Sequence, residues 1–459
     1  MRVGKLGHAS VVVWDGSLCC LMDPVFIDPF EGGANAMDPA VTIDIAAATK
    51  SCDVVVLSHA HMDHFCVRSL ARFPREVPVL FPASDALIER ALARLGFERR
   101  QPVGVGDKIS LGDLTLFPTA SRADFPEIGM LFRGARRSFW NMVDSVVDDG
   151  AVDIVRSLVG TPDLVFAKFQ PLLENELIVN ALGSDFPVAK YGVLLRNVWN
   201  VKPRLVAPSS CGYRYERARW LNDRGFPITD AQFEADLREG DPSLRVIHVP
   251  HGGAVDLDGP AADVVVDPAG VPFAKRREGS LVPAFDWRPE RGVPPLSDEN
   301  PRAEDAAKLR RRVDEWLGGE FLSLLAASPD AWLERMARQK VQWRLEVVHP
   351  SGPSDVRRLD FGALSRGWVP AEDATFYKLH TSICASAIVG LLDGQQNSYS
   401  LTFNDVRIME RLYAVGREGL TRFGSIADEP MMRILCDGAD DRFIERELGM
   451  ILANDPKDA

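Results

Sequence analysis

Asp53-Val54-Val55-Val56-Leu57-Ser58-His59-Ala60-His61-Met62-Asp63-His64 is the stretch from which the fold is read. Residues 53 to 57 form an apolar run in which β-branched side chains sit together, and its length suits a short buried strand better than a helix. Four ligand-type side chains then leave the strand's C-terminal end between His59 and His64. In extended backbone, residues two apart point the same way, so His59 and His61 share one side. Asp63 and His64 follow as the chain turns and face a second point close to the first. Imidazole and carboxylate together suit zinc, iron or manganese rather than a soft thiolate-bound metal. A histidine-rich surface loop is the bland alternative. Against it, three of the chain's eight histidines fall in this stretch, and a strand end opening into a loop is where ligands converge.

The spacing His59-x-His61-x-Asp63-His64 resembles the His-x-His-x-Asp-His signature of the metallo-β-lactamase superfamily. The resemblance implies an α/β fold, an αββα sandwich, with one or two metal ions at the sheet edge. Further ligands should then come from strand ends later in the chain.

At 459 residues the chain is long enough for a large core and for two domains. Its 46% hydrophobic and 26% charged residues belong to a globular protein rather than a disordered one. A net charge of -12 argues against nucleic acid or an anionic membrane as partner, since both favour a basic face. No stretch approaches the roughly 20 apolar residues of a membrane span, and Met1 to Leu6 runs into a strand without a secretory signal. A cytoplasmic location is expected. Seven irregularly spaced cysteines fit reduced thiols better than a disulfide framework. The Cys-x-His pairs of a Rieske cluster are absent.

Along the chain, Ala9 to Trp14, a turn at Asp15-Gly16-Ser17, and Leu18 to Met22 read as a hairpin. The Gly7-His8-Ala9-Ser10 opening and Asp23-Pro24 both look like the start of lactamase-fold proteins. His8 is as readily a packed side chain as a site residue. Strands at 77–81, 114–117, 138–143 and 162–166 alternate with helices at 69–73, 85–95 and 151–159, the pattern of a layered α/β domain. Residues 244–253 read as the last strand of this domain with its Pro/Gly exit.

In the superfamily, hydrolytic members supply a third histidine to the first metal near Pro118 to Glu127, where this chain has none. Asp124 is the best-placed carboxylate there and Glu127 the runner-up; an oxygen-richer ligand set suits iron better than zinc alone. Asp144, ending the strand Ser138 to Val143, is the expected bridging ligand. Its Asn141-Met142-Val143-Asp144 context looks like the Asn-x-x-Asp segment of the CMP-N-acetylneuraminate hydroxylase-like branch, which includes a diiron β-hydroxylase. The final histidine ligand falls in the exit of 244–253. His251 is preferred because it follows Pro250; His248, three residues earlier, faces the opposite side. Ser209, Ser210 and Cys211 line a small-residue rim and are not read as nucleophiles, because no dedicated base accompanies them.

Two metal ions, iron first with zinc or manganese next, are therefore expected on His59, His61, Asp63, His64, Asp124, Asp144 and His251, with Asp63 and Asp144 closest to the chemistry. Domain boundaries are expected at 1–260 for the catalytic domain, 261–301 for a linker or lid, and 302–459 for a C-terminal helical and α+β domain, with helices near 383–392 and 405–417. That last domain weakly resembles the sterol-carrier-like tail of sialic-acid hydroxylase and alkylsulfatase relatives, and covering the site or building a homodimer is its expected role. The favoured activity is O2-dependent oxygenation of a small-molecule substrate, with electrons from a separate donor. Hydrolysis of an ester, thioester or phosphodiester is the alternative.

Overall fold

The strand after which the histidines emerge is Val54–Val56, with all three valines buried. It pairs in parallel with Leu18–Met22 on one side and Val79–Pro82 on the other. Both its faces are covered, which is why it reads as continuous valine rather than as an alternation. In this computed structural model, residues 1–454 are described except 124, 146, 182–184, 260–263, 278, 280–281, 329, 372–376 and 423–425.

The chain divides into two compact units. The first comprises Met1–Leu172, Phe186–Arg288 and the C-terminal residues from Glu447. It holds an eight-stranded sheet, in the spatial order Val266–Asp267, Gly253–Asp256, Arg2–Lys5, Val11–Asp15, Leu18–Met22, Val54–Val56, Val79–Pro82 and Arg100–Val103. A six-stranded sheet runs Leu205–Ser209, Leu164–Lys168, Ser138–Asn141, Ile128–Arg133, Leu114–Ala120 and Ile109–Leu111. Val13, Met22, Val56 and Leu80 from the first sheet share one core with Leu116, Met130, Phe132, Phe139 and Phe166 from the second. Two sheets burying one face each against the other is the sandwich expected from the motif. Helices start where acids cap them: Asp85 accepts from the Leu87 and Ile88 amides at 3.1 and 3.0 Å, and Asp148 from Ala151 at 2.9 Å.

Of the segment 244–253 only Gly253 belongs to the closing strand. Only Val246 bridges to Val206; Pro250 has no N–H to give a ladder, and Gly252, at φ +77°, turns the chain. The strand forms one turn later, at Gly253–Asp256, paired with Arg2–Lys5.

The second unit comprises Leu173–Asp185 and Pro289–Arg446. Ile178 is buried in its core and Val179 bridges to Ile408, so the chain visits this unit early, before returning to it from Pro289. Its five-stranded sheet runs Val369–Pro370, Asp355–Asp360, Gln342–Val348, Leu379–Cys384 and Val406–Glu410. The helices Ala306–Gly318, Glu320–Ala326 and Ala385–Leu392 contribute Trp316, Phe321 and Ile388 to the core beneath it. Residues 405–417, read as a helix, are instead the strands Val406–Glu410 and Tyr413–Gly416. Val406 and Ile408 are buried while Arg407 and Met409 are not, a period of two that selects strand pairing with Leu379–Cys384. All seven cysteines are free thiols. Among the described residues no helix is long and apolar enough to cross a membrane.

Candidate metal centre

Side chains from several strand ends meet at one edge of the sandwich. The loop after Val54–Val56 begins with Ser58, whose carbonyl accepts from the Ile128 amide at 3.1 Å. That bond ties Glu127, one residue earlier, to the histidine motif. The loop then closes on itself, with the His64 and Phe65 amides donating to the His61 carbonyl at 2.9 and 2.7 Å.

Asp23, at the end of Leu18–Met22, lies beneath the histidines and is fully buried. Its Oδ1 accepts from the Ser58 amide at 2.7 Å. Its Oδ2 accepts from the Ser58 hydroxyl at 2.6 Å and from His64 Nδ1 at 2.9 Å. Because the hydroxyl proton goes to Asp23, the Ser58 oxygen is left to accept from His59 Nδ1 at 2.9 Å. Both imidazoles therefore carry their protons on Nδ1 and present the lone pair of Nε2. This is how a metal-binding histidine is oriented by its outer partners.

Two groups of atoms stand close enough to share a cation: His59, His61 and Asp63, and His8, Asp63 and His64. Asp63 belongs to both. Asp144 follows the strand Ser138–Asn141, and its Oδ2 is 3.8 Å from His64 Nε2. Its position is set by Asn141, whose Oδ1 accepts from the Val143 amide at 3.2 Å, and by Val143 itself at φ +55°. A β-branched residue in the left-handed region is an outlier, and such strain gathers at functional sites. Glu127 Oε1 is 3.7 Å from His59 Nδ1, and its other oxygen accepts from Ser121. Asp124 lies outside the described residues. Glu127 thus stands where the sequence placed its second choice of carboxylate.

His251 is fully buried and donates through Nδ1 to the Pro39 carbonyl at 2.7 Å. Like Glu127 and Asp144 it is in neither of the two groups, and like theirs its free donor atom, Nε2, is buried without a hydrogen-bond partner. Gly212 is packed so closely on it that a Cβ there would lie 2.2 Å from His251 Nε2. His248 is held instead by Glu234 at 2.8 Å and Asp230 at 3.6 Å.

Burial pushes the Glu127 carboxyl up to about 7, with Asp144 adding to the rise. It also drives His59 well below the usual imidazole range, helped by His64 and His61. For Asp63 burial acts upward but is outweighed by His64, His8 and His61, and the carboxyl falls far below its usual range. Asp144 is likewise lowered against its burial by Lys168 and His64. His64 is raised, because Asp63, Asp23 and Asp144 together outweigh its burial.

The donors fit metal ions. Four of their atoms, His59 Nε2, His64 Nε2, Glu127 Oε1 and Asp144 Oδ1, are buried with no hydrogen-bond partner. Buried polar atoms are normally paired, and four unpaired ones in a single pocket have the imidazole and carboxylate chemistry of a first-row transition-metal site. At the mouth, Phe125 packs over His61 and His59 with ring centroids 4.4 and 5.5 Å apart. Lys168, at the end of Leu164–Lys168, brings its ammonium to 4.0 Å from Asp144 Oδ2. Asp23, Ser58 and Lys168 were assigned no role from the sequence. Their only signal is that Asp23 and Lys168 each end a buried strand at this edge.

Residues 23–180 match the family model described as the beta-lactamase superfamily domain. No curated protein matches the chain. Similar solved structures include a possible metal-dependent hydrolase from Veillonella parvula DSM 2008, at 13% identity over 54% of this chain and 97% of that one, TM-score 0.39. Another is the isothiocyanate hydrolase from Delia radicum gut bacteria, at 15% identity over 56% and 98%, TM-score 0.40. A third is CmlA, a diiron beta-hydroxylase from Streptomyces venezuelae, at 18% identity over 54% and 53%, TM-score 0.37. The domain at residues 23–180, with the histidine motif at its strand end and the sandwich around it, matches the beta-lactamase superfamily domain and has the metallo-β-lactamase fold.

Proposed function

We propose that the first unit is a dinuclear-metal enzyme that uses two iron ions and O2 to oxidise a small molecule. The observation that carries the dinuclear reading is the set of four buried, unpartnered donor atoms on His59, His64, Glu127 and Asp144, around Asp63. The lean to iron comes from Glu127, a carboxylate beside His59 in a ligand set where oxygen donors accompany the imidazoles, which suits iron. His59, His61, Asp63, His64, Glu127 and Asp144 would hold the pair.

Iron bound there would supply redox chemistry towards O2, and zinc would supply the Lewis acidity that activates water in the hydrolytic alternative. The chain's own residues do the rest. Asp23 and Ser58 keep the Nδ1 protons on His64 and His59. Phe125 covers the exposed edge of His61. Lys168 puts a positive charge at the rim, placed to meet an anionic group on a substrate. Hydroxylation takes two electrons and two protons with each O2, giving one oxygen to a substrate C–H and releasing the other as water; those electrons come from a separate donor protein or reductant.

Metal analysis of aerobically purified protein tests this. The expected result is about two irons per chain, with ferric absorption that bleaches with dithionite. Zinc alone, with turnover of an ester or phosphodiester unaffected by removing O2, would replace the oxygenase with the hydrolase. His61→Ala and Asp144→Ala are each expected to lose the metal pair with the fold retained, read by metal content and circular dichroism. Full metal content in both variants would sink the ligand assignment.

A further inference from the structure

His8 stands within reach of a cation shared with Asp63 and His64, yet its hydrogen bonds decide against a ligand's role. The Cys211 backbone amide donates to His8 Nδ1 at 3.0 Å. A backbone N–H can only donate, so Nδ1 must be unprotonated and the ring carries its proton on Nε2. That nitrogen faces Asp63 Oδ2 at 3.0 Å, and a carboxylate can only accept. A protonated ring nitrogen has no lone pair to offer a metal.

The ring is held in this pose from all sides. It is 3% exposed, stacked on Phe30 with centroids 5.9 Å apart and met edge-on by Tyr213 at 4.8 Å. The amide that sets its tautomer is itself placed by strained backbone, with Ser210 at φ +55° and Cys211 at φ +84°. Non-glycine residues hold such angles only where neighbours enforce them. Here the Ser210 hydroxyl donates to the Val143 carbonyl at 3.3 Å, and the Gly212 carbonyl accepts from Asp38 at 3.1 Å.

On the metal-centre reading above, we propose that His8 is a positioning residue: it donates through Nε2–H to Oδ2 of Asp63 and so fixes which face of that carboxylate meets the metal pair. The Ser210–Gly212 turn acts on the centre through it. This explains why a strained turn is kept beside the site although Cys211 is in neither group of donors. It also assigns the Gly7-His8-Ala9-Ser10 opening a task in the metal centre without adding a ligand.

The test is cobalt(II) loading of the full-length protein and of His8→Ala and His8→Gln, followed by visible absorption and competition with a chelator. Glutamine retains an N–H that can donate to Asp63; alanine does not. All three proteins are expected to take up two cobalt ions. His8→Ala should bind them about 10-fold more weakly, the lower end of what loss of an outer partner does to metal affinity, with shifted d–d bands. His8→Gln should restore both bands and affinity. Loss of one cobalt in both variants would make His8 a ligand and overturn the proposal. Bands and affinity unchanged in His8→Ala would reduce it to packing and overturn it as well. If His8→Ala does not fold, His8→Gln decides: two cobalts with the bands of the unaltered protein support the role, and one cobalt overturns it. Failure of the unaltered protein to bind two cobalts is a separate outcome, which removes the dinuclear reading itself and the role of His8 with it.

Discussion

Asp23 does more for the pocket than its distance from the donors suggests. It takes three hydrogen bonds, from the Ser58 amide, the Ser58 hydroxyl and His64 Nδ1, and through Ser58 it also sets His59. Asp23→Asn keeps the shape but turns one acceptor into a donor facing another donor. The expected outcome is metal affinity lower by roughly 10- to 100-fold, measured by chelator competition, with the fold intact by circular dichroism. Glu127 allows a sharper test. If it is a metal ligand, Glu127→Gln should lower the metal content from two ions to one. If it is only a buried acid, with its pKa raised to about 7, removing its charge should leave metal content unchanged and make the protein more stable above neutral pH. The cluster His59 to His64 was legible because all its donors lie within one loop. Asp23, Glu127 and Lys168 reach the pocket through strand order, and no local spacing records that. His251 has the position in the chain expected of a ligand, and its Nε2 is buried without a hydrogen-bond partner beside Gly212, which carries no Cβ to fill that space.

Elements were read best where one periodicity was unopposed. Val54–Val56 and the helix Ala86–Arg94 fall where the sequence put them, because valine runs and an aspartate cap leave few alternatives. Residues 406–410 were misread because Val406, Ile408 and Leu412 sit two and four apart, spacings that serve a strand and part of a helix alike; pairing with Leu379–Cys384 decides for the strand. The Gly212 turn offers a test at this scale. Gly212→Ala puts a Cβ 2.2 Å from His251 Nε2 and 3.1 Å from the backbone of His8. Forcing both apart should cost about 1–3 kcal/mol, read in denaturant unfolding, together with weaker metal uptake. Another test concerns the helix Pro430–Leu435, whose cap is Glu429, fully buried. Burial raises its carboxyl from 4.5 to about 7, against hydrogen bonds from Thr381 and the Met432 and Met431 amides that favour the charged form. The folded state thus binds this proton more tightly than the unfolded chain, so the group's contribution is present in full below about 4.5 and is lost as pH rises to about 7. The loss is roughly 3 kcal/mol. Unfolding of Glu429→Gln should show no such slope, gaining by that amount on the unaltered protein between pH 4.5 and pH 7.5.

Each unit of the molecule has its own core, one built around Met22, Val56, Phe132 and Phe166 and one around Trp316, Phe321, Trp343 and Ile388. Every proposed metal donor lies in the first unit, between His59 and Asp144. A cation that binds these side chains only when they are assembled stabilises that unit's folded state by mass action. At a free metal concentration of 100 times Kd the gain is about 2.7 kcal/mol, and binding must also displace the proton that Asp63, Asp23 and Asp144 hold on His64, so the gain should grow as pH rises. Calorimetry of the full chain with and without a chelator is expected to give two transitions, of which only one moves. Glu429→Gln identifies the other, since its residue belongs to the second unit. If chelation shifts both transitions equally, or the two merge into one, the units unfold together and metal binding at the first edge stabilises the whole chain.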